Sequence, residues 1–256
     1  MHIFIILVMT AMSSFAATTS ISFLAYDQYA YNSPYYSHYG VSNATNTITI
    51  ASIDLNDRWW GFSTTVTSAY HVSPFIQSNE GTLGPLRSVG WNQYAFIFNE
   101  SNKTSSILMD GNTIHSGTYV NSPELFYFGF HDYYGGAQET VIDDFQMRIN
   151  GTLVYQQGFD GTVLPDGWYV SRQDGGTYIA YGDTTTVHSG TGSMALGATA
   201  GGNLFSSIAF DLTSVSDPTS VPEPGTVLPS MVLVCSGLYI RFIRRHRTPR
   251  RRGKIG

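Results

Sequence analysis

The chain has one cysteine in 256 residues, and that residue, Cys235, sits in an apolar run near the C-terminus. No intrachain disulfide can form, and the rest of the chain can hold neither a cysteine-based zinc site nor a thiol nucleophile. Charge is scarce as well, at 12% of residues. Of the 13 basic residues, eight lie between Arg241 and Lys254. Before them stand only Arg58, Arg87, Lys103, Arg148 and Arg172 against all 18 acids, so residues 1–240 carry a net −13. Nucleic acid is excluded as a partner, because phosphate contacts require clustered Lys and Arg. Also missing before residue 221 is any sustained helical period.

The usual catalytic patterns are missing too. There is no Gly-x-Ser-x-Gly elbow and no His-Glu-x-x-His pair. His38, His71, His115, His131 and His188 lack metal-ligand spacing. Retaining glycosidases need two carboxylates about 5–5.5 Å apart, which one strand supplies from acids two residues apart. Glu80, Glu100, Glu124, Glu139 and Glu223 instead stand alone. Asp143 and Asp144 are adjacent, and neighbours on a regular strand point to opposite faces. The expectation is a protein that is not an enzyme, the alternative being a secreted glycoside hydrolase or lyase with an unrecognised site.

What the sequence does contain is clearest at its ends. Ile3 to Met9 is an apolar core, and Ser14-Phe15-Ala16 places small residues before Ala17. This is the pattern of a secretory signal peptide over residues 1–16, cleaved after Ala16. At the other end, a polar linker (214–220) leads into Val221-Pro222-Glu223-Pro224-Gly225-Thr226, then the uncharged run Val227–Ile240, then the basic tail. That run is short for a span of about 20 apolar residues, but Arg241 can snorkel and lengthen it. Arg241, Arg244 and Arg245 would act as the membrane stop on the cytoplasmic side, leaving the rest of the chain outside. Pro229 near the start of such a helix is tolerated, because first-turn N–H groups lack intrahelical partners.

The three-part order over residues 221–256 resembles the PEP-CTERM sorting signal of Gram-negative-type bacteria. The resemblance implies that Pro222, Glu223 and Pro224 are recognised by an exosortase-type membrane protease. It also implies that the protein, first anchored in the inner membrane, passes to the cell surface or the extracellular polysaccharide. A plain tail anchor with a basic stop-transfer sequence is the other reading.

Between the ends, residues 17–213 read as an all-β ectodomain. Tyr26, Tyr29, Tyr31, Tyr35, Tyr36 and Tyr39 cluster early, either packing a sheet edge or stacking on sugar rings. Strands are expected at Thr47–Ile53, at Trp59–Phe62 with Thr64–Thr67, at Trp91–Phe98, at Leu125–Phe130 and at Thr140–Ile149. Ser105–Met109 and Asn112–His115 flank an Asp110-Gly111 hairpin turn. Trp91-x-x-Tyr94-x-Phe96-x-Phe98, Met109-Asp110-Gly111, Phe128-Gly129-Phe130 and Ile142-Asp143-Asp144-Phe145 resemble the laminin-G and concanavalin A-like sandwich. Phe159-Asp160-Gly161, Leu164 to Trp168 and His188 to Leu196 resemble the opening strands of a β-jelly-roll. About 60 residues without disulfides make a marginal domain, so residues 151–213 either complete the first unit or dock on it as a partial second one.

The expected architecture is a β-sandwich with one C-terminal transmembrane helix. Asp132, Asp143 and Asp144 are candidate Ca2+ ligands, since calcium takes carboxylate oxygens from loops. Tyr35, Tyr36, Trp59 and Trp60 are the candidate ligand aromatics for extracellular polysaccharide.

Overall fold

The computed structural model describes residues 17–27, 35–55, 72–77, 84–86, 88–132, 138–199 and 204–215. The signal segment, Trp59, Trp60, the strand expected around them, Pro222–Pro224, the apolar run and Arg241, Arg244 and Arg245 lie outside the described residues. Among the described residues, no helix is long and apolar enough to cross a membrane.

The described chain is built of strands: β1 (Thr18–Asp27), β2 (Tyr35–Ser42), β3 (Thr49–Leu55), β4 (Ser73–Ile76), β5 (Gly90–Asn99), β6 (Thr104–Met109), β7 (Asn112–Thr118), β8 (Leu125–Asp132), β9 (Gln138–Ile149), β10 (Thr152–Gln157), β11 (Trp168–Gln173), β12 (Thr177–Asp183), β13 (Ser193–Ala198) and β14 (Leu204–Asp211). They form two antiparallel sheets. The first runs β12-β13-β9-β1-β5-β6-β7, with β10 also paired to β9; the second runs β11-β14-β8-β2-β3-β4.

Period-two alternation explains both layers. In β5 the inward residues Tyr94, Phe96 and Phe98 are at most 1% exposed. Ile21, Phe23 and Ala25 of β1, and Phe126, Phe128 and Phe130 of β8, are equally buried. Phe23 of the first sheet lies 5.1 Å from Tyr39 and 5.3 Å from Phe126 of the second, ring centroid to centroid, so the sheets pack face to face over one core. Each such ring contributes about 2 kcal/mol of burial. This aromatic core is the answer to the missing disulfides.

Of the early tyrosines, Tyr26, Tyr35, Tyr36 and Tyr39 lie on strands that are not edges. β1 lies between β9 and β5, and β2 between β8 and β3, with Tyr39 buried in the core. The expected sheet-edge packing therefore fails for Tyr26 and Tyr39, because long-range pairing with later strands surrounds β1 and β2. Asp110 (φ 49°) and Gly111 (φ 78°) form the expected tight turn between β6 and β7, and Asn150 (φ 51°) and Gly151 (φ 80°) form another between β9 and β10.

The segment after Gly151 enters both layers: β12 and β13 extend the first sheet, while β11 and β14 extend the second. Trp168 reaches the core, with ring centroids 5.1 Å from Phe145, 5.2 Å from Phe159 and 5.1 Å from Phe210. Its indole N–H donates to the Tyr155 hydroxyl at 3.0 Å, satisfying the one polar atom that it buries.

Candidate functional site

The site grows out of an irregularity in β9. Ser22 of β1 pairs with Gln146, but Leu24 pairs with Asp143, so Asp144 and Phe145 together face Phe23. This is a β-bulge, and Asp144 occupies its left-handed position at φ 50°. The bulge overturns the expectation that the adjacent acids point to opposite faces. Both carboxylates instead turn to one loop, residues 184–192, between β12 and β13.

Asp143 is fully buried. Its Oδ1 accepts the N–H of Asp144 at 2.7 Å, and its Oδ2 accepts the N–H groups of His188 and Ser189 at 3.0 and 3.1 Å. Burial pushes the Asp143 carboxyl up; the three N–H bonds pull it down less strongly, and the Asp144 charge adds to the rise. Asp144 Oδ2 lies 2.8 Å from His188 Nδ1, and its Oδ1 accepts the Ser189 hydroxyl at 2.5 Å.

Two further acids hold the same loop. Asp183 accepts the N–H groups of Thr185 and Thr186 at 3.3 and 3.4 Å. Asp160 accepts those of Thr191 and Gly192, the latter at 3.0 Å, and these bonds hold its carboxyl below the usual range. Glycines make the approach possible. A Cβ on Gly192 would lie 2.6 Å from the Gly182 Cα, and one on Gly182 would lie 2.7 Å from the Gly161 carbonyl oxygen. The Phe159-Asp160-Gly161 and His188-to-Leu196 segments thus meet as a latch.

Beside this loop the outer face of the first sheet presents aromatic rings. Because Tyr94, Phe96 and Phe98 point inward, Trp91 points outward, opposite Tyr26 of β1. Both are half-buried. Their centroids are 5.3 Å apart, and the Trp91 ring meets His188 edge-on at 5.5 Å. Trp91 and His188 were not among the expected site residues, and Tyr26 was named only within the early tyrosine cluster. The signal for Trp91 was readable, since it stands an odd number of residues from the inward set.

The second sheet's outer face is covered differently. The Tyr127 ring lies on Gly40, where a Cβ would come within 2.3 Å of it. Burial pushes its phenol well above the usual range, with the Asp54 charge adding to the rise, while hydrogen bonds to Thr49 and Ser52 act the other way. His38 Nδ1 lies 2.7 Å from Asp54 Oδ1. Burial lowers this imidazole, but the Asp54 charge and hydrogen bond together raise it above its ordinary 6.5. Further along, His131 stacks on Phe205 at 3.7 Å, Arg172 lies 4.0 Å over the same ring, and Asp174 pairs with Arg172 at 3.0 Å.

The Ca2+ candidates are divided by this geometry. Asp132 closes β8 in the second sheet, whereas Asp143 and Asp144 stand in the first. Among the described residues, no group of three His, Cys, Asp or Glu side chains is placed to hold a metal ion. Tyr36 and Tyr35 have backbones in β2, opposite His131 and Asp132. Within this cluster Ser189 donates to Asp144 and not to His188, so these three side chains do not form a Ser–His–Asp relay. What the cluster offers is ring surface beside a few fixed polar atoms. No protein-family model matches this chain, and no characterised protein matches it.

Proposed function

We propose that the chain is an exported envelope or extracellular-matrix protein with a non-catalytic, lectin-like β-sandwich that associates with glycan. The concanavalin A-like or jelly-roll description is part of this reading and is supported by two face-to-face antiparallel sheets. The observation that carries the binding reading is the outward Trp91–Tyr26 pair beside His188, Asp144 and Ser189. Aromatic rings bury the C–H faces of sugars while nearby polar atoms fix their hydroxyls. Asp143 supports the non-catalytic reading, because its oxygens are occupied by three backbone N–H groups and serve to hold the loop.

The address comes from sequence. The order of segments at the ends supports export through residues 1–16 and anchoring by 227–240, and the resemblance to a PEP-CTERM signal implies release by an exosortase-type protease near Pro222 to Gly225. The test is the intact mass of the surface-released protein in cells with and without exosortase. Loss of the segment after about Pro224 only in exosortase-positive cells supports the sorting reading; an unchanged full-length product in both overturns it.

A further inference from the structure

Resting on the glycan reading above, we infer that the Trp91–His188–Asp144 cluster selects neutral, hydroxyl-rich sugar rings over uronate or sulfated ones. The inference comes from counting donors and acceptors. A carboxylate only accepts, so the 2.8 Å approach of Asp144 Oδ2 fixes the proton of His188 on Nδ1. In its neutral form the imidazole is then left with Nε2 as an acceptor, the form to which the selectivity applies. Ser189 gives its only hydroxyl proton to Asp144, so its remaining capacity is also to accept. Asp143 is taken up by backbone N–H groups and offers a ligand nothing.

A ligand docking against these atoms must therefore bring the protons, as the O–H groups of a neutral sugar do. A carboxylate or sulfate brings further acceptors and negative charge to a place already holding Asp143, Asp144 and Asp183. Neither β1, β5 nor residues 184–192 contain a lysine or arginine to offset it. The half-buried rings of Trp91 and Tyr26 supply the apolar surface for the C–H face of the ring.

The experiment uses the labelled full-length chain in detergent at low salt. Its probes are immobilised neutral polysaccharides (glucan, mannan, galactan) and anionic ones (polygalacturonate, alginate, sulfated galactan). Binding to at least one neutral polymer is expected, about tenfold or more tighter than to any anionic one, a gap of about 1.4 kcal/mol. Trp91→Ala should weaken it by at least as much, while Trp91→Phe retains most of it, with thermal melting confirming that both variants are folded. Anionic polymers binding as well as neutral ones, with loss in Trp91→Ala, would overturn the selectivity and leave the glycan reading standing. Binding to neither class, or binding untouched by Trp91→Ala in a folded variant, would overturn the glycan reading of this site and the selectivity with it.

Discussion

The two outer faces of the sandwich are covered by opposite means. On the second sheet the chain uses its own rings, with Tyr127 flat on Gly40 and an Arg172–Phe205–His131 stack, so the cover is packed side chain. On the first sheet it uses a loop, and the loop hangs on the carboxylates of Asp143, Asp144, Asp160 and Asp183. Each face carries a histidine–aspartate pair. His38–Asp54 sits within a regular ladder, whereas His188–Asp144 joins a bulge to a loop. Packed rings resist change in solution conditions, whereas charge and carboxylate–N–H bonds respond to it, and on the second face the His38–Asp54 and Arg172–Asp174 pairs are of that kind. The difference separates a face closed mainly by packed rings from one closed by a loop held on carboxylates.

The sharpest way to break this comparison is at the latch. Gly182→Ala should destabilise the protein by on the order of 3 kcal/mol in urea unfolding, because its Cβ meets the Gly161 backbone and its φ is +63°. A loss below about 1 kcal/mol would mean that the loop is not tightly docked. Asp143→Asn comes next, at about 2 kcal/mol, since the amide turns one N–H donor toward others. Hydrogen exchange should then show residues 185–192 losing protection while β5 and β8 keep theirs.

On the other face, Gly40→Ala should cost about 1–2 kcal/mol by displacing the Tyr127 ring. Most of that cost should vanish in a Tyr127→Ala background, and a double-mutant cycle measures the coupling. Additive effects would show that the ring does not rest on Gly40.

The smallest effects are in pH, and they have opposite signs. His38 has a folded pKa above its ordinary 6.5, so its contribution is full below that value and is lost as pH rises through the folded pKa. Asp160 has a folded pKa below its ordinary 3.8, so its contribution is present above that value and is lost as pH falls through the folded pKa. Melting temperature followed from pH 3 to 8, in wild type, His38→Gln and Asp160→Asn, should separate the two windows. A common window would show that the faces are not independently held.

Strands with strong alternation were legible in the sequence. Tyr94, Phe96 and Phe98 are on one buried face as read, and the Asp110-Gly111 turn lies where its dipeptide puts it. β1 was missed although Ile21, Phe23 and Ala25 alternate, because the tyrosine-rich stretch that follows masked the period. The bulge at Asp144 was not legible. Nothing local marks it, since the extra residue in β9 is defined only by its pairing with β1, more than a hundred residues earlier. For the same reason, the convergence of Asp143, Asp160 and Asp183 on one loop could not be read from their spacing. The parity of Trp91 could have been, had its outward position been followed to a partner.

β14 is the last strand before the polar linker, yet it is not an edge: it lies between β11 and β8 and pairs with β8 from Leu204 to Asp211. Chain termination or arrest before Leu204 leaves one flank of β8 unpaired and the rings of Phe126, Phe128 and Phe130 short of their cover. Assembly is therefore an end-of-chain event. As the polypeptide is synthesised, nearly all of the two-sheet unit must wait, incompletely folded, until its last strand arrives. Protease challenge of ribosome-stalled chains of increasing length measures this wait, with resistance expected to appear abruptly once residue 211 has cleared the ribosome, and gradual protection ruling it out.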